Sequence, residues 1–142
     1  MSKVIPLLIC LLSLNLYAKK PVTGQEIFSK KCEMCHDIYG PQTFQEQKDM
    51  VAPTITLAMK SVTIGTDAIE EPKTKAELKK LTIEFLKDYI LHPHKDKAYC
   101  EETVFKRFNT MPSLKGFITQ EQLDIVLPYV YDNFAPKDRD EF

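Results

Sequence analysis

The chain has 142 residues, 19 basic and 20 acidic side chains for a formal charge of −1, and is 44% hydrophobic and 27% charged. That is the length and balance of one globular domain, which excludes a disordered tail protein and a bundle of membrane spans. Near-neutral charge offers none of the phosphate attraction that nucleic-acid binding needs, and four glycines assemble neither a GxGxxG nor a Walker-type loop to cradle a nucleotide.

Lys3 precedes an apolar run, VIPLLICLLSLNL, over residues 4–16. A bilayer span needs about 20 apolar residues, so the run is too short to cross one. A charged start, a short apolar centre and Leu16, Tyr17, Ala18 ahead of Lys19 read instead as a secretory signal over residues 1–18, cleaved after Ala18. Lipidation at Cys10 is the rival reading, disfavoured by the bulky Ile9 before it and by the apolar residues after it. The mature domain is then 19–142, with Cys32, Cys35 and Cys100. An odd number of thiols in an exported chain asks for some use of cysteine other than pairing.

Thr23 with Glu26 forms a capping box, predicting a first helix over 24–35 with Ile27 or Phe28, Cys32 and Cys35 on one face. Residues 43–50 are polar, with room for a helical turn, and 51–59 read as loop with short helical pieces. Residues 64–80, rich in charge and containing Gly65 and Pro72, read as a surface excursion that becomes helical late. Phe85, Leu86, Tyr89 and Ile90 at helical spacing predict a helix over 82–91 stopped by Pro93. Another is expected over 99–108. The last starts at Thr119, where Gln122 completes a second box; it carries Leu123, Val126, Leu127 and Val130 inward and bends at Pro128. No alternating strand pattern is present, so the fold class is all-α.

Cys32, Glu33, Met34, Cys35 and His36 spell CxxCH. On a helical turn, side chains three and four residues apart project to one side. Two thiols could add to the vinyl groups of a haem while the neighbouring imidazole reaches its iron. A zinc site or a thioredoxin-like redox pair is the alternative for a CxxC. Zinc would need four ligands, and the rest of the chain offers only Cys100, His92 and His94 without a second CxxC, while thioredoxin chemistry would need a βαβ context that is not visible. Together with the export signal, the motif favours haem attachment.

The segment resembles a class I c-type cytochrome: Gly24, Phe28, Cys32, Cys35 and His36 reproduce GxxxFxxxCxxCH. The resemblance implies a cytochrome c-like fold, with several helices around one haem. In that fold the glycine lets the C-terminal helix cross closely, Phe28 packs on it, and Tyr129 supplies the aromatic partner. It covers about 24–36 and 109–133, while the middle of the chain is longer and more charged. It also implies that Met111, followed by Pro112, is the second axial ligand beside His36, and that a proline carbonyl, Pro53, fixes the imidazole. Met50, Met59, His92 and His94 remain competitors for the second axial position. With both axial positions filled, the iron changes only its charge. The implied function is therefore a monomeric, periplasmic single-electron carrier between a donor reductase and an acceptor oxidase or reductase of a respiratory chain. Membrane contact would come only through those partners, and the chain would not be an enzyme. Alternatives are a haem enzyme or gas sensor with an open or bis-histidine iron, and a zinc or disulfide module. Lys30, Lys31, Lys106 and Lys115 are candidate steering charges for acidic partners. A cavity is expected between the first helix, the Pro53 stretch and the Met111 loop.

Overall fold

Five of the six described α-helices start where a threonine side chain accepts from an orphaned backbone amide; the one that follows Glu101 has no side-chain cap. The computed structural model describes residues 20–138, so the expected leader over 1–18 lies outside the described residues. Helix α1 (Gly24–Lys31) opens on the Thr23/Glu26 box, α2 (Phe44–Asp49) on a matching Thr43/Glu46 box, and α3 (Ile55–Glu70) on Thr54. Helix α4 (Lys75–Leu91) opens on Thr74, α5 (Glu102–Phe108) on Glu101, and α6 (Gln120–Phe134) on the Thr119/Gln122 box. One 3₁₀ turn, Lys95–Lys97, links α4 to α5. Among the described residues there is no strand, only one isolated bridge between Lys115 and Ile118. The all-α expectation is met.

Helix α6 is the hub: it packs against α1, α3 and α4, and α3 packs against α4. Its stripe of Leu123, Val126, Leu127 and Val130 is buried, as is the Ile27–Phe28 step of α1, and the helix runs through Pro128. The α1–α6 crossing is close because Gly24 has no side chain. A Cβ built there would lie 2.4 Å from the Tyr129 Cβ and 3.0 Å from the Ile125 carbonyl oxygen. The Phe28 ring then lies 6.1 Å from that of Tyr129 and 5.1 Å from that of Phe134.

Three expectations are corrected. Helix α1 stops at Lys31 with Cys32 as its C-cap, because the chain tightens into a turn rather than continuing to Cys35. The loop expected over 51–59 is α3 from Ile55 onward. The excursion expected over 64–80 is the second half of α3 and the start of α4, separated by a short connection. Gly65 is no breaker here: it lies inside α3, where a Cβ would come 2.3 Å from the Tyr99 ring. Tyr99 in turn stacks on Phe85 of α4, ring centroids 4.4 Å apart. The glycine trades helix propensity, about 1 kcal/mol, for room to seat an aromatic ring that joins α3 to α4. The real break comes at Glu71, left-handed at φ 47°, ahead of the buried Pro72.

Candidate functional site

The CxxCH segment leaves α1 as a tight turn, with the Cys35 and His36 amides donating to the Cys32 carbonyl at 3.1 and 2.9 Å. Cys32 is half-buried against the core and Cys35 is exposed; neither is in a disulfide. Burial, reinforced by the nearby Cys35 thiol, pushes the Cys32 thiol up to about 11. A thiolate there is disfavoured at neutral pH, so Cys32 is a protonated, protein-facing sulfur beside an exposed one.

His36 is held by two crossed bonds to the start of α3. Its ring Nδ1 donates to the Pro53 carbonyl oxygen at 2.8 Å, and the carbonyl of the next residue, Asp37, accepts from the Ile55 amide at 3.0 Å. A carbonyl can only accept, so Nδ1 carries the proton. Desolvation holds the imidazole below its ordinary value, against the opposing pull of the Pro53 hydrogen bond and the Asp37 charge. The neutral ring therefore presents its other nitrogen, Nε2, as a bare lone pair, and that atom makes no hydrogen bond among the described residues. A neutral imidazole with one nitrogen tied to a backbone carbonyl is the arrangement in which histidine binds a metal.

Met111 is half-buried in the segment between α5 and α6. That segment is fastened to the end of α4: the Leu114 amide donates to the Ile90 carbonyl at 3.0 Å and the Ser113 hydroxyl to the Leu91 carbonyl at 2.6 Å. The four competitors are placed differently. Met59 is 2% exposed in the core face of α3, and Met50 is half-buried at the end of α2. His92 lies 3.2 Å from the Asp88 carboxylate and His94 3.4 Å from that of Asp96, both exposed. A hollow of ≈ 300 Å³ lies beside the motif, but Glu33, Asp37, Tyr39, Glu46 and Met50 are among its walls and neither Pro53 nor Met111 lines it. It is not the cavity expected from the sequence. A second, of ≈ 440 Å³, lies between the start of α4 and the segment after α6, away from the motif.

Among the described residues no group of three or more His, Cys, Asp or Glu side chains could hold a metal ion, so the CxxC gathers no zinc set around it. Nor is any described helix long and apolar enough to cross a membrane.

Sequence reasoning overlooked the tie between Asp37 and Ile55 and the packing of Phe134 on Phe28. The second could have been read from the spacing of Val130 and Phe134 on α6; the first joins a loop to the first residue of α3 and leaves no periodic trace.

The chain is 27% identical over 118 residues to an uncharacterized protein of Aquifex aeolicus (strain VF5), an alignment covering 78% of this chain and 73% of the relative. No solved structure matches it significantly. The family model for cytochrome c matches residues 21–132, which takes in α1, the CxxCH turn, the Pro53 tie, the Met111 segment and nearly all of α6. The chain therefore belongs to the cytochrome c family, a c-type haem electron carrier with covalently attached haem c.

Proposed function

We propose that this cytochrome is an exported, periplasmic one-electron shuttle between a donor reductase and an acceptor in a respiratory chain, with Cys32 and Cys35 as the thioether positions and His36 and Met111 as the axial ligands. The observation that carries the reading is the His36 to Pro53 hydrogen bond, which leaves Nε2 as a free donor atom one residue from Cys35. The residues fit the group: two unpaired thiols three residues apart and a neutral imidazole share one turn. Haem c supplies a one-electron ferric/ferrous couple when bound.

The chain's own part is to hold that couple still. Pro53 and Ile55 fix the ring of His36 and the backbone after it, so the imidazole plane does not swing as charge changes. Met111 is favoured over its competitors because Met59 is enclosed by the core and both histidines are engaged by surface carboxylates. The neutral, soft thioether of Met111 would favour the ferrous state and raise the potential relative to a second imidazole. Were His36 and Met111 both to hold the iron of haem c, no position would be left for substrate, and one-electron transfer would be the chemistry supplied. The docking that follows from this is small and brief, as turnover requires.

The test is the spectrum of the protein exported from cells competent in cytochrome maturation. Haem that stays with the chain after denaturation and a weak red absorption band in the oxidised form are expected. Met111→Ala should abolish that band and lower the potential, while Met50→Ala leaves both in place. A band that survives Met111→Ala would overturn the axial assignment, and a colourless protein would overturn the reading as a whole.

A further inference from the structure

The sequence offers four lysines as a rim for acidic partners, but the structure spends two of them internally. Lys31 donates to the Phe117 carbonyl at 2.8 Å and lies 3.7 Å over the Phe117 ring, and Lys106 pairs with Glu102 at 3.2 Å. From Glu33 onward, past the first cysteine, the charge has the opposite sign. Glu33, Asp37 and Glu46 share the wall of the ≈ 300 Å³ hollow next to that turn, and Asp49 closes α2 behind it.

None of these four carboxylates is in an ion pair among the described residues, whereas Asp88, Asp124 and Asp132 on α4 and α6 each hold a lysine. Three of the four are bonded to neutral donors: Glu33 to the Ser29 hydroxyl at 2.6 Å, Glu46 to the backbone amides of Gln42 and Thr43, and Asp49 to the Gln45 side-chain amide at 3.0 Å. The cations placed here are Lys48, drawn 4.5 Å over the Phe44 ring, and Arg107, which reaches the Gln47 carbonyl from α5. The acids outnumber them.

The same segment carries large apolar side chains in water: Met34 is 65% exposed, Tyr39 81%, Phe44 71% and Val51 67%. Methionine and aromatic side chains amid charged groups are the composition of a protein-docking face, in which the apolar centre gives contact and the charged rim gives orientation and encounter rate. Among the described residues no group of three acidic, histidine or cysteine side chains is close enough to hold a metal ion, so the charge is spread over a face and is not a cation site.

We propose, resting on the electron-carrier reading, that the face formed by residues 33–51 docks a redox protein whose own contact patch is apolar and rimmed with lysine or arginine. A partner seated there lies against the turn that carries both cysteines and His36, and so next to the residues that would hold the haem. The acidic rim raises the encounter rate with a basic partner and lowers it with an acidic one, and salt screens both effects.

Two probes test this on the full haem-loaded protein. In the reduced protein, amide resonances are followed by NMR during titration with hexaamminechromium(III), a paramagnetic trivalent cation, and separately with hexacyanochromate(III), a trivalent anion. The cation should broaden amides of residues 33–51 several-fold more than the anion does. Asp37→Asn with Asp49→Asn should remove that preference. Glu70→Gln with Glu71→Gln should keep it: the charge change is the same, but it sits at the far end of α3, about 22 Å along the helix from Ile55. The second readout is oxidation by tris(phenanthroline)cobalt(III), in which one electron passes from the ferrous protein to cobalt(III), giving cobalt(II) with no proton moved. Its rate should fall on the order of tenfold between about 10 and 200 mM salt, and much less in the Asp37/Asp49 variant. Broadening of this face by the anion, or a rate that rises with salt, would show that the partner is acidic and overturn the proposal, as would cation binding centred elsewhere. A chain that takes up no haem would instead overturn the electron-carrier reading, with the cation map still deciding the sign of the face.

Discussion

Gly24→Ala puts a single methyl group at the point where α1 crosses α6. The new Cβ would stand 2.4 Å from the Tyr129 Cβ and 3.0 Å from the Ile125 carbonyl oxygen. Both atoms are fixed to the α6 backbone, so no rotamer change relieves the contact, and the helices must separate by about 1 Å to reach ordinary van der Waals distance, roughly 3.5–4.0 Å between carbons. Overpacking of this kind costs about 1–3 kcal/mol. Alanine returns less than the ~1 kcal/mol of a helix interior, because Gly24 is the first helical residue. The net loss is about 1–2 kcal/mol, which for a domain of this size lowers Tm by roughly 4–10 °C. The separation also loosens Phe28 from Tyr129 and Phe134, and Cys32 sits one turn beyond Phe28. Thermal melting followed in parallel by far-UV circular dichroism and by haem absorbance checks this. A Tm unchanged or raised in Gly24→Ala would refute the claim that backbone proximity at this crossing explains the glycine.

Pro53→Ala should keep the imidazole tie, since the acceptor is a backbone carbonyl that alanine also has. The expected cost is about 0.4–1 kcal/mol from a freer unfolded chain, with the haem spectrum unchanged; a shifted potential would show that the ring of Pro53 itself matters. In chain prepared without haem, the thiol of Cys32, raised to about 11, stays protonated through neutral pH, with a thiolate fraction near one in a thousand at pH 8. Iodoacetamide should therefore label the exposed Cys35 first, with labelling of Cys32 rising about tenfold per pH unit as pH climbs toward 11; equal rates at pH 8 by mass spectrometry would contradict this. Because the folded state holds that proton longer than the unfolded state, stability of the haem-free chain should also fall as pH passes above the ordinary thiol range. Thr82→Val replaces a fully buried hydroxyl that has no hydrogen-bond partner with a methyl group of the same shape, and should raise stability by about 1 kcal/mol in urea denaturation.

The two ends of the domain were legible because their signals are local. Thr23 with Glu26 and Thr119 with Gln122 state their helix starts within four residues, and Gly24 with Phe28 announces a close crossing. The same four-residue signature stands at Thr43 with Glu46, which starts α2, and again at Thr74 with Glu77, where the Thr74 side chain accepts from the Glu77 amide at 3.1 Å. Read by the same rule, it would have moved the start of α4 back from 82 to 75. Composition misled the reading of α3 and α4: the charges in residues 64–80 suggested a solvated loop, while α3 buries Thr63 and Thr66 around the start of that stretch and α4 buries Leu78 near its end. Threonine at helical spacing does not register as an apolar stripe. Gly65 misled in the same direction, because the Tyr99 ring it accommodates comes from 34 residues away.

The middle of the chain has a structural task at the site that follows from this packing. Pro53 stands immediately before Thr54, whose side chain accepts from the Leu57 amide at 3.3 Å and so fixes the first turn of α3. Met59, Val62, Thr63 and Thr66 bury that helix against its neighbours. The orientation of the Pro53 carbonyl is therefore set by a 16-residue helix, and through it the plane of the His36 ring. The second bond, from the Ile55 amide to the Asp37 carbonyl, holds the backbone just past the ring to the same helix start. Each bond alone is worth about 1 kcal/mol. Two that cross between residues 36–37 and 53–55 remove both the swing and the tilt of the imidazole, a constraint that neither supplies by itself. The cysteine turn is thus positioned from two directions: by α6 through Gly24 and Phe28 on one side, and by α3 through Pro53 and Ile55 on the other. A haem held at that turn, as proposed, would meet a frame with little freedom to move, and little movement is what keeps the barrier to electron transfer low.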